Sequence, residues 1–254
     1  MDTKFYIEYY ELERNHWWFK ARLHLLKTAL LTHTSAIPQK KLKILNVGAA
    51  TGVTSQMLET FGDVTSLEYD KQCCIFLKEK TGIEAVNASL TELPFKDDSF
   101  DIICGFDVVE HIEDDEKAIR EINRVLTPNG QYFLTVPAFQ FLWSNHDVVN
   151  HHFRRYTKRT FISLLNSNGL NVSFSSYFNF WLFFPIAIVR FVLNLLPRKK
   201  SKQTSGSDNE ILQSSSFLNS LLLNIFRTEN IFFKKRIKLP VGVSFFATGS
   251  KLPS

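Results

Sequence analysis

The sequence predicts an α/β protein: a doubly wound Rossmann-like sheet carrying helices on both faces. Three observations lead there. Apolar strand-like runs alternate with helix-like runs from residue 43 to residue 178. The first such strand runs straight into a small-residue turn, "ILNVGAATG". Two helix-to-strand junctions, "TPNG" and "SNGL", carry the residues that end a helix and admit a strand.

Residues 1–40 form a predicted N-terminal helical cap. Within it, "HWWFKARLHLLKTALL" places Trp17, Leu23, Leu26 and Leu30 on one side at helical spacing, and "SAIPQKK" ends the pattern. Residues 41–177 form the core. Strands are expected at 43–47, 63–68, 100–106 and 130–136, and helices at 55–60, 71–80, 113–126 and 158–168, with a further strand at 171–178. Residues 178–240 break this rhythm. They hold two apolar stretches separated by the polar linker "PRKKSKQTSGSDNE", and form a predicted hydrophobic helical insertion. Residues 241–254, containing "VSFFATGSK", return to the core as a last strand.

The chain has 254 residues, 44% hydrophobic and 22% charged, enough for one large domain with a real core. Its net charge of +5 has meaning only where it clusters. Twenty-four Phe suggest apolar surface beyond an ordinary core. Of the three Cys, Cys73 and Cys74 are adjacent and poorly placed to pair. No Cys/His spacing suits zinc. These features, and an N-terminus "MDTKFYIEYYELER" without a basic head and apolar run, lead us to expect a cytoplasmic protein with no signal peptide.

A ligand of such a sheet sits at the carboxyl ends of the strands. A dinucleotide fingerprint would require Gly at 50 and 53, where the chain has Ala50 and Val53. A phosphate-cradling P-loop would end in GK[ST], which is absent. S-adenosylmethionine (SAM) has no phosphate and needs close backbone approach, which Gly48 and Gly52 supply. It also needs an acceptor for its ribose hydroxyls, and Glu68 ends the second strand roughly 20 residues beyond the loop. Ala50 is read as an ordinary backbone position.

Taken together, "ILNVGAATG", "VTSLEYD", "LPFKDDSFDIICGFDVVEHIEDDEKAIREINRVLTPNGQYFLTVP" and "RTFISLLNSNGL" resemble a class I SAM-dependent methyltransferase of the type 11 group. The resemblance spans residues 42–172 and the last strand. It implies the strand order 3-2-1-4-5-7-6. It also implies that Gly48, Ala50 and Gly52 underlie the methionine part of SAM. Asn46 replaces an acid there, keeping a carbonyl acceptor but losing the charge. By the same resemblance Glu68 holds the ribose, Ser89 stands where relatives carry an Asp to the adenine amino group, and Leu90 lines the adenine. Phe106 and Asp107 lie beside the reacting methyl. Glu110 and His111 either border this pocket or simply begin a solvated helix. Asp97 and Asp98 read as a turn, and Cys104 as core.

After the fifth strand, "WSNHDVVNHHFRRYT" should overhang the site. Arg154 and Arg155 suit an anionic group, and with Tyr156 are expected to bind the acceptor; the competing reading is that one Arg anchors a structural acid. A subgroup of the family combines this motif with "HWWF", which implies that Trp17 and Trp18 meet it in space, although at least one Trp also suits simple helix packing. Ligand spacing for a metal is irregular, so none is expected. Methyl transfer to a hydroxyl calls for a base. His146 and His152 are the candidates, with Asp147 to orient one and His111 in reserve.

"FNFWLFFPIAIVRFVLNLL" approaches the length of a membrane span, but a return crossing through residues 217–233 would carry Asn219, Asn224, Arg227, Glu229 and Asn230. Two interfacial helices flanked by "RKKSK" and "KKRIK" fit better, giving peripheral contact with the inner face of a membrane. The competing reading is a helical cap that buries its apolar face on the sheet or in a dimer. The expected function is SAM-dependent methylation, of the O type, of a small or lipid-linked acceptor with anionic or glycan character. The alternative is a non-catalytic SAM-fold protein that binds lipid or a partner enzyme. Nucleic acid is not an expected partner, since the positive charge follows the insertion and no base-flipping motif follows the fourth strand.

Overall fold

A computed structural model describes residues 3–34, 41–195 and 216–252. Helices α1 (Thr3–Asn15) and α2 (Trp17–His33) come first, separated by His16, whose side chain caps α2 through the Trp18 N–H. Then follow β1 (Leu42–Val47), α3 (Val53–Leu58), β2 (Gly62–Glu68), α4 (Lys71–Thr81), β3 (Ala85–Asn87) and β4 (Phe100–Phe106). The second half holds α5 (Asp115–Val125), β5 (Leu126–Pro137), α6 (Asn145–Val149), α7 (Lys158–Ser167) and β6 (Leu170–Phe178). Helices α8 (Phe183–Leu195), α9 (Ser216–Arg227) and α10 (Glu229–Lys234) precede β7 (Ser244–Lys251).

The seven strands form one sheet in the order β3-β2-β1-β4-β5-β7-β6, as expected. β7 is antiparallel to both its neighbours. Alternation along each strand builds two apolar layers. Leu45, Val47, Ile103, Leu134 and Val136 face α5 and α7, where Ile119, Ile122, Phe161 and Leu165 meet them. Ile44, Ile102, Phe133 and Phe246 face the other way, against Leu25, Leu26 and Leu30 of α2, Phe226 of α9 and Phe233 of α10. Helix α2 is therefore half of a core layer, and Trp17 belongs to it at 4% exposure. The expectation that Trp17 binds the acceptor is corrected: its ring is packed away from solvent.

Two local features differ from the sequence reading. β3 spans only three residues, too few for an alternation pattern to declare itself. The "TPNG" junction lies inside β5, where the register against β4 shifts between Phe100 and Ile102 and Asn129 takes φ 66°. The register slips there while the chain stays in the sheet.

The insertion attaches at a buried acid. Glu229 is fully enclosed, and its carboxylate accepts the N–H groups of Asn179 and Phe180 at 2.7 and 2.8 Å. This fastens α10 to the chain leaving β6. Helix α9 buries Phe226 against α2, while α8 leaves Phe184, Ile188 and Val189 at 55%, 64% and 55% exposure. The competing reading of a helical cap on the sheet therefore fits α9, while the described α8 side chains at 184, 188 and 189 stay open. Arg190 of α8 donates to the Leu142 carbonyl, so its charge is turned towards the protein. No helix among the described residues is long and apolar enough to cross a membrane. The basic cluster at 198–202 lies outside the described residues; Lys234, Lys235, Arg236 and Lys238 are exposed.

Candidate active site at the carboxyl ends of β1, β2, β4 and β5

The turn after β1 is built for close backbone approach. Gly48 has φ 70°, and a Cβ on it would fall 2.4 Å from a Val108 methyl. The chain then curls back, Gly52 N–H to Ala49 carbonyl at 2.9 Å. Ala50 takes φ 46°. The expectation of an ordinary conformation at Ala50 is thus corrected; the residue is held in the left-handed region, where its own N–H meets Glu68 Oε2 at 3.0 Å. Glu68 Oε1 accepts the Asp70 N–H at 3.0 Å. Each oxygen keeps a lone pair, and the side chain is half-buried, so the carboxylate can still receive a pair of hydroxyls.

Asn46 lies beneath this turn at 1% exposure. Its amide donates to Thr54 and Ser55 at 3.0 and 2.9 Å, and its carbonyl oxygen is buried without a partner. The amide bonds tie β1 to α3, and the carbonyl oxygen stays an unengaged acceptor beneath the turn. Ser89 is half-buried and its hydroxyl accepts the Thr91 N–H at 3.1 Å. Leu90 is buried among core residues nearby. Asn87 was not foreseen. Its amide clamps the Glu68 and Tyr69 carbonyls at 3.0 and 2.7 Å, and the Tyr69 side chain is 77% exposed.

Helix α1 closes the turn from above, which sequence spacing could not show. Arg14 donates to the Thr51 carbonyl and hydroxyl at 3.0 and 3.2 Å, and the Thr51 hydroxyl also meets Glu13. Tyr6 donates to Asp70 at 2.8 Å, and Asp70 caps α4.

At the end of β4, Asp107 takes φ 59°. It accepts from Arg22 at 2.7 Å and from Thr135 at 2.9 Å. Arg22 is 7% exposed and its guanidinium lies 5.6 Å from the Trp18 ring, so Trp18 reaches the site through Arg22. A single Arg in a helix otherwise dense with buried apolar residues was the signal for this contact. Phe106 is packed in the α2 layer at 8% exposure, which corrects its expected place beside the methyl.

The segment after β5 folds onto the turn after β4. Phe153 N–H donates to the Glu110 carbonyl at 2.8 Å. Asp147 is fully buried and accepts the Ser144 N–H at 2.8 Å, two Arg155 N–H groups at 2.8 and 2.9 Å, and His152 Nδ1 at 2.9 Å. These donors hold its carboxyl far below the usual carboxylate range, against the opposing effect of burial. Arg155 also donates to the Ala138 carbonyl, and Tyr156 donates to Asp115 at 2.7 Å; both are buried. Their expected role in acceptor binding is corrected, for their polar groups are spent on the frame. Arg154 points elsewhere, to Asp115 at 2.8 Å and the Glu113 carbonyl at 2.6 Å, and stays one-third exposed.

Of the four catalytic candidates, three come together. His111 and His152 stand with ring centres 4.5 Å apart, edge to face, and Asp147 orients His152. His146 is set back, 6.0 Å from His152, with Asn150 against its ring. Glu110 joins them from below. It is fully buried, neither oxygen has a hydrogen-bond partner, and burial together with Asp107 holds its carboxyl well above the usual range.

Residues 45–134 match the profile of a methyltransferase domain. The chain carries a class I SAM-dependent methyltransferase domain of the type 11 group. It is 28% identical over 96 residues to a probable SAM-dependent methyltransferase of Mycobacterium tuberculosis, covering 37% of this chain and 35% of that one. It is 31% identical over 121 residues to the demethylmenaquinone methyltransferase of Staphylococcus aureus, covering 42% and 50%. The chain thus spans a third to a half of the length of these curated relatives. The fold also matches the Bacillus subtilis protein YcgJ (TM-score 0.54, 17% identity, 89% of this chain and 99% of that one). It matches a Haemonchus contortus phosphoethanolamine N-methyltransferase determined with S-adenosylhomocysteine (TM-score 0.54, 14%, 95% and 59%). The residues present fit SAM: the crowded Gly48 turn brings bare backbone to the strand ends, and Glu68 offers two oxygens that are only partly engaged.

Proposed function

We propose that this protein transfers the methyl group of SAM to a hydroxyl of a small or lipid-linked acceptor, working against a membrane surface. The observation that carries the O-transfer reading is the Asp147–His152 pair at 2.9 Å. A carboxylate that accepts from two Arg155 N–H groups can only accept from Nδ1, so Nδ1 carries the proton, and in the neutral imidazole Nε2 keeps its lone pair. That is the form a general base needs. The base stands next to the turn after β4, against His111. The bound cofactor supplies the electrophilic methyl; the chain's residues orient both partners and withdraw the proton. Most of the acceleration in such a reaction comes from holding the reacting atoms at near-attack distance.

The lipid-linked reading is supported by α8. Its exposed Phe184, Ile188 and Val189 continue to Trp181 and Phe141, at 46% and 59% exposure, and Lys234, Lys235 and Lys238 are exposed on the same insertion. An open apolar face on an insertion that also exposes cations suits an anionic lipid interface. The Staphylococcus aureus relative is named for a quinone-type substrate, which agrees with a lipid acceptor class.

The test is methyl transfer from labelled SAM to lipid extracts, comparing the wild type with His152→Ala. Labelled lipid formed by the wild type and lost in the variant, with SAM binding unchanged, supports the reading. Equal turnover would reject His152 as the base, and absence of SAM binding by calorimetry would reject the activity.

A further inference from the structure

A carboxyl buried without any partner is an unstable arrangement unless something completes it. Glu110 is in that position, at 0% exposure with both oxygens unpartnered. Its oxygen, a His111 nitrogen and a His152 nitrogen all lie within 4.8 Å of one another. The three come from two segments about 40 residues apart, which is why the spacing along the sequence gave no sign of a ligand set and no metal was expected.

The frame around them has the features of a prepared metal site. His152 donates Nδ1–H to the Asp147 carboxylate at 2.9 Å, which fixes its tautomer and presents Nε2. Asp147 is itself fixed by Arg155 at 2.8 and 2.9 Å. The two segments are stitched by the Phe153 N–H to the Glu110 carbonyl, and His111 is set by a tight turn, N–H to the Val108 carbonyl at 3.0 Å. The His111 side remains open to solvent, so an ion can enter.

We propose that Glu110, His111 and His152 bind one divalent transition-metal ion. Two imidazoles and one carboxylate are a borderline donor set that suits zinc, cobalt, iron or manganese. Three protein ligands leave coordination positions free, and an oxygen of the acceptor fits them. This last point rests on the methyltransferase reading; metal binding itself does not. A metal there would act on the acceptor oxygen as a Lewis acid; with the His152 lone pair engaged by the ion, it would take over the task given to that base by acidifying the acceptor hydroxyl, whose proton would pass to solvent water.

The experiment is titration of the chelator-treated full chain with zinc and with cobalt, without SAM or acceptor, by calorimetry and thermal melting. Wild type, Glu110→Gln, His111→Ala, His152→Ala and the surface control His24→Ala are compared. One equivalent bound, a rise in melting temperature, and an affinity at least about tenfold weaker in each site variant but not in the control would support the site. The wild-type cobalt spectrum gives a reading that needs no variant to fold: nitrogen ligation moves the visible bands away from those of the aqueous ion. An aqueous spectrum, no binding, or equal affinity in the site variants would overturn the proposal. SAM calorimetry on the same samples keeps the two readings apart. Metal binding without SAM binding defeats only the methyltransferase reading, and SAM binding without metal binding defeats only the metal site.

Discussion

Asp147 accepts His152 Nδ1–H at 2.9 Å while receiving both Arg155 contacts on the same carboxylate. One buried acid thus orients the base and neutralises a buried cation. The two tasks respond differently to mutation. Asp147→Asn should lower stability by about 3–5 kcal/mol, because it leaves Arg155 buried and uncompensated. His152→Ala should leave the fold in place and lower kcat about 10²–10⁴-fold with the SAM dissociation constant unchanged. Thermal melting and steady-state kinetics on both variants check this.

Glu68 answers two backbone N–H groups with two oxygens. Glu68→Gln turns one acceptor into a donor facing an N–H. SAM affinity should fall by about tenfold or more, one lost hydrogen bond to a charged group being worth about 1.5–3 kcal/mol. Calorimetry reads it directly, and an unchanged dissociation constant would show that Glu68 does not face the ribose.

Arg22 and Asp107 should be coupled. Arg22→Gln leaves Asp107 near the unpartnered Glu110 without its counter-charge, and should cost about 1–3 kcal/mol of stability. Adding Asp107→Asn should recover part of that loss. A double-mutant cycle by denaturant unfolding measures the coupling, and simple additivity would contradict it.

His33 gives the fold a dependence on acidity. Burial of its ring, then the nearby Arg236 charge, lowers its pKa to about 4 from the ordinary 6.5. The folded state therefore binds fewer protons than the unfolded state between those values. Its contribution is complete above pH 6.5 and is lost as the pH falls towards 4, up to about 3 kcal/mol. His33→Phe, packed against Phe174 as the imidazole is now, should flatten that part of the stability profile.

The open face of α8 should govern membrane binding. Phe184→Asp with Ile188→Asp should sharply reduce sedimentation with anionic liposomes and hardly change the melting temperature, since both side chains are mostly exposed. Added salt should weaken wild-type binding through the exposed lysines.

Sheet order and the cofactor loop could be read from the sequence because their signals are local. β1, its turn and Glu68 fall within about 25 residues, and strand and helix periods alternate cleanly around them. What sequence could not give was which side chain meets which. "HDVVNHHFRRYT" offers two arginines and three histidines at similar spacing. Only folding shows Arg155 turned inward to Asp147, Arg154 turned outward to Asp115, and His152 turned towards Glu110. Ala50 misled for a related reason: alanine gives no warning of φ 46°, which the Glu68 contact stabilises from another strand. Trp17 and Trp18 read alike, yet one helix step separates a core ring from one beside Arg22.

Among the described residues β6 pairs in the sheet with β7 alone, which lies between it and β5. During synthesis, therefore, β6 leaves the ribosome with no edge to join, and so does the insertion that follows it. The partner arrives only with residues 244–251, which must enter between two strands already made. A nascent chain stopped short of that point holds an apolar strand and an apolar helix side by side, both unsatisfied. That is the interval in which the protein is most exposed to aggregation, and in which a nearby lipid surface would be most able to capture it.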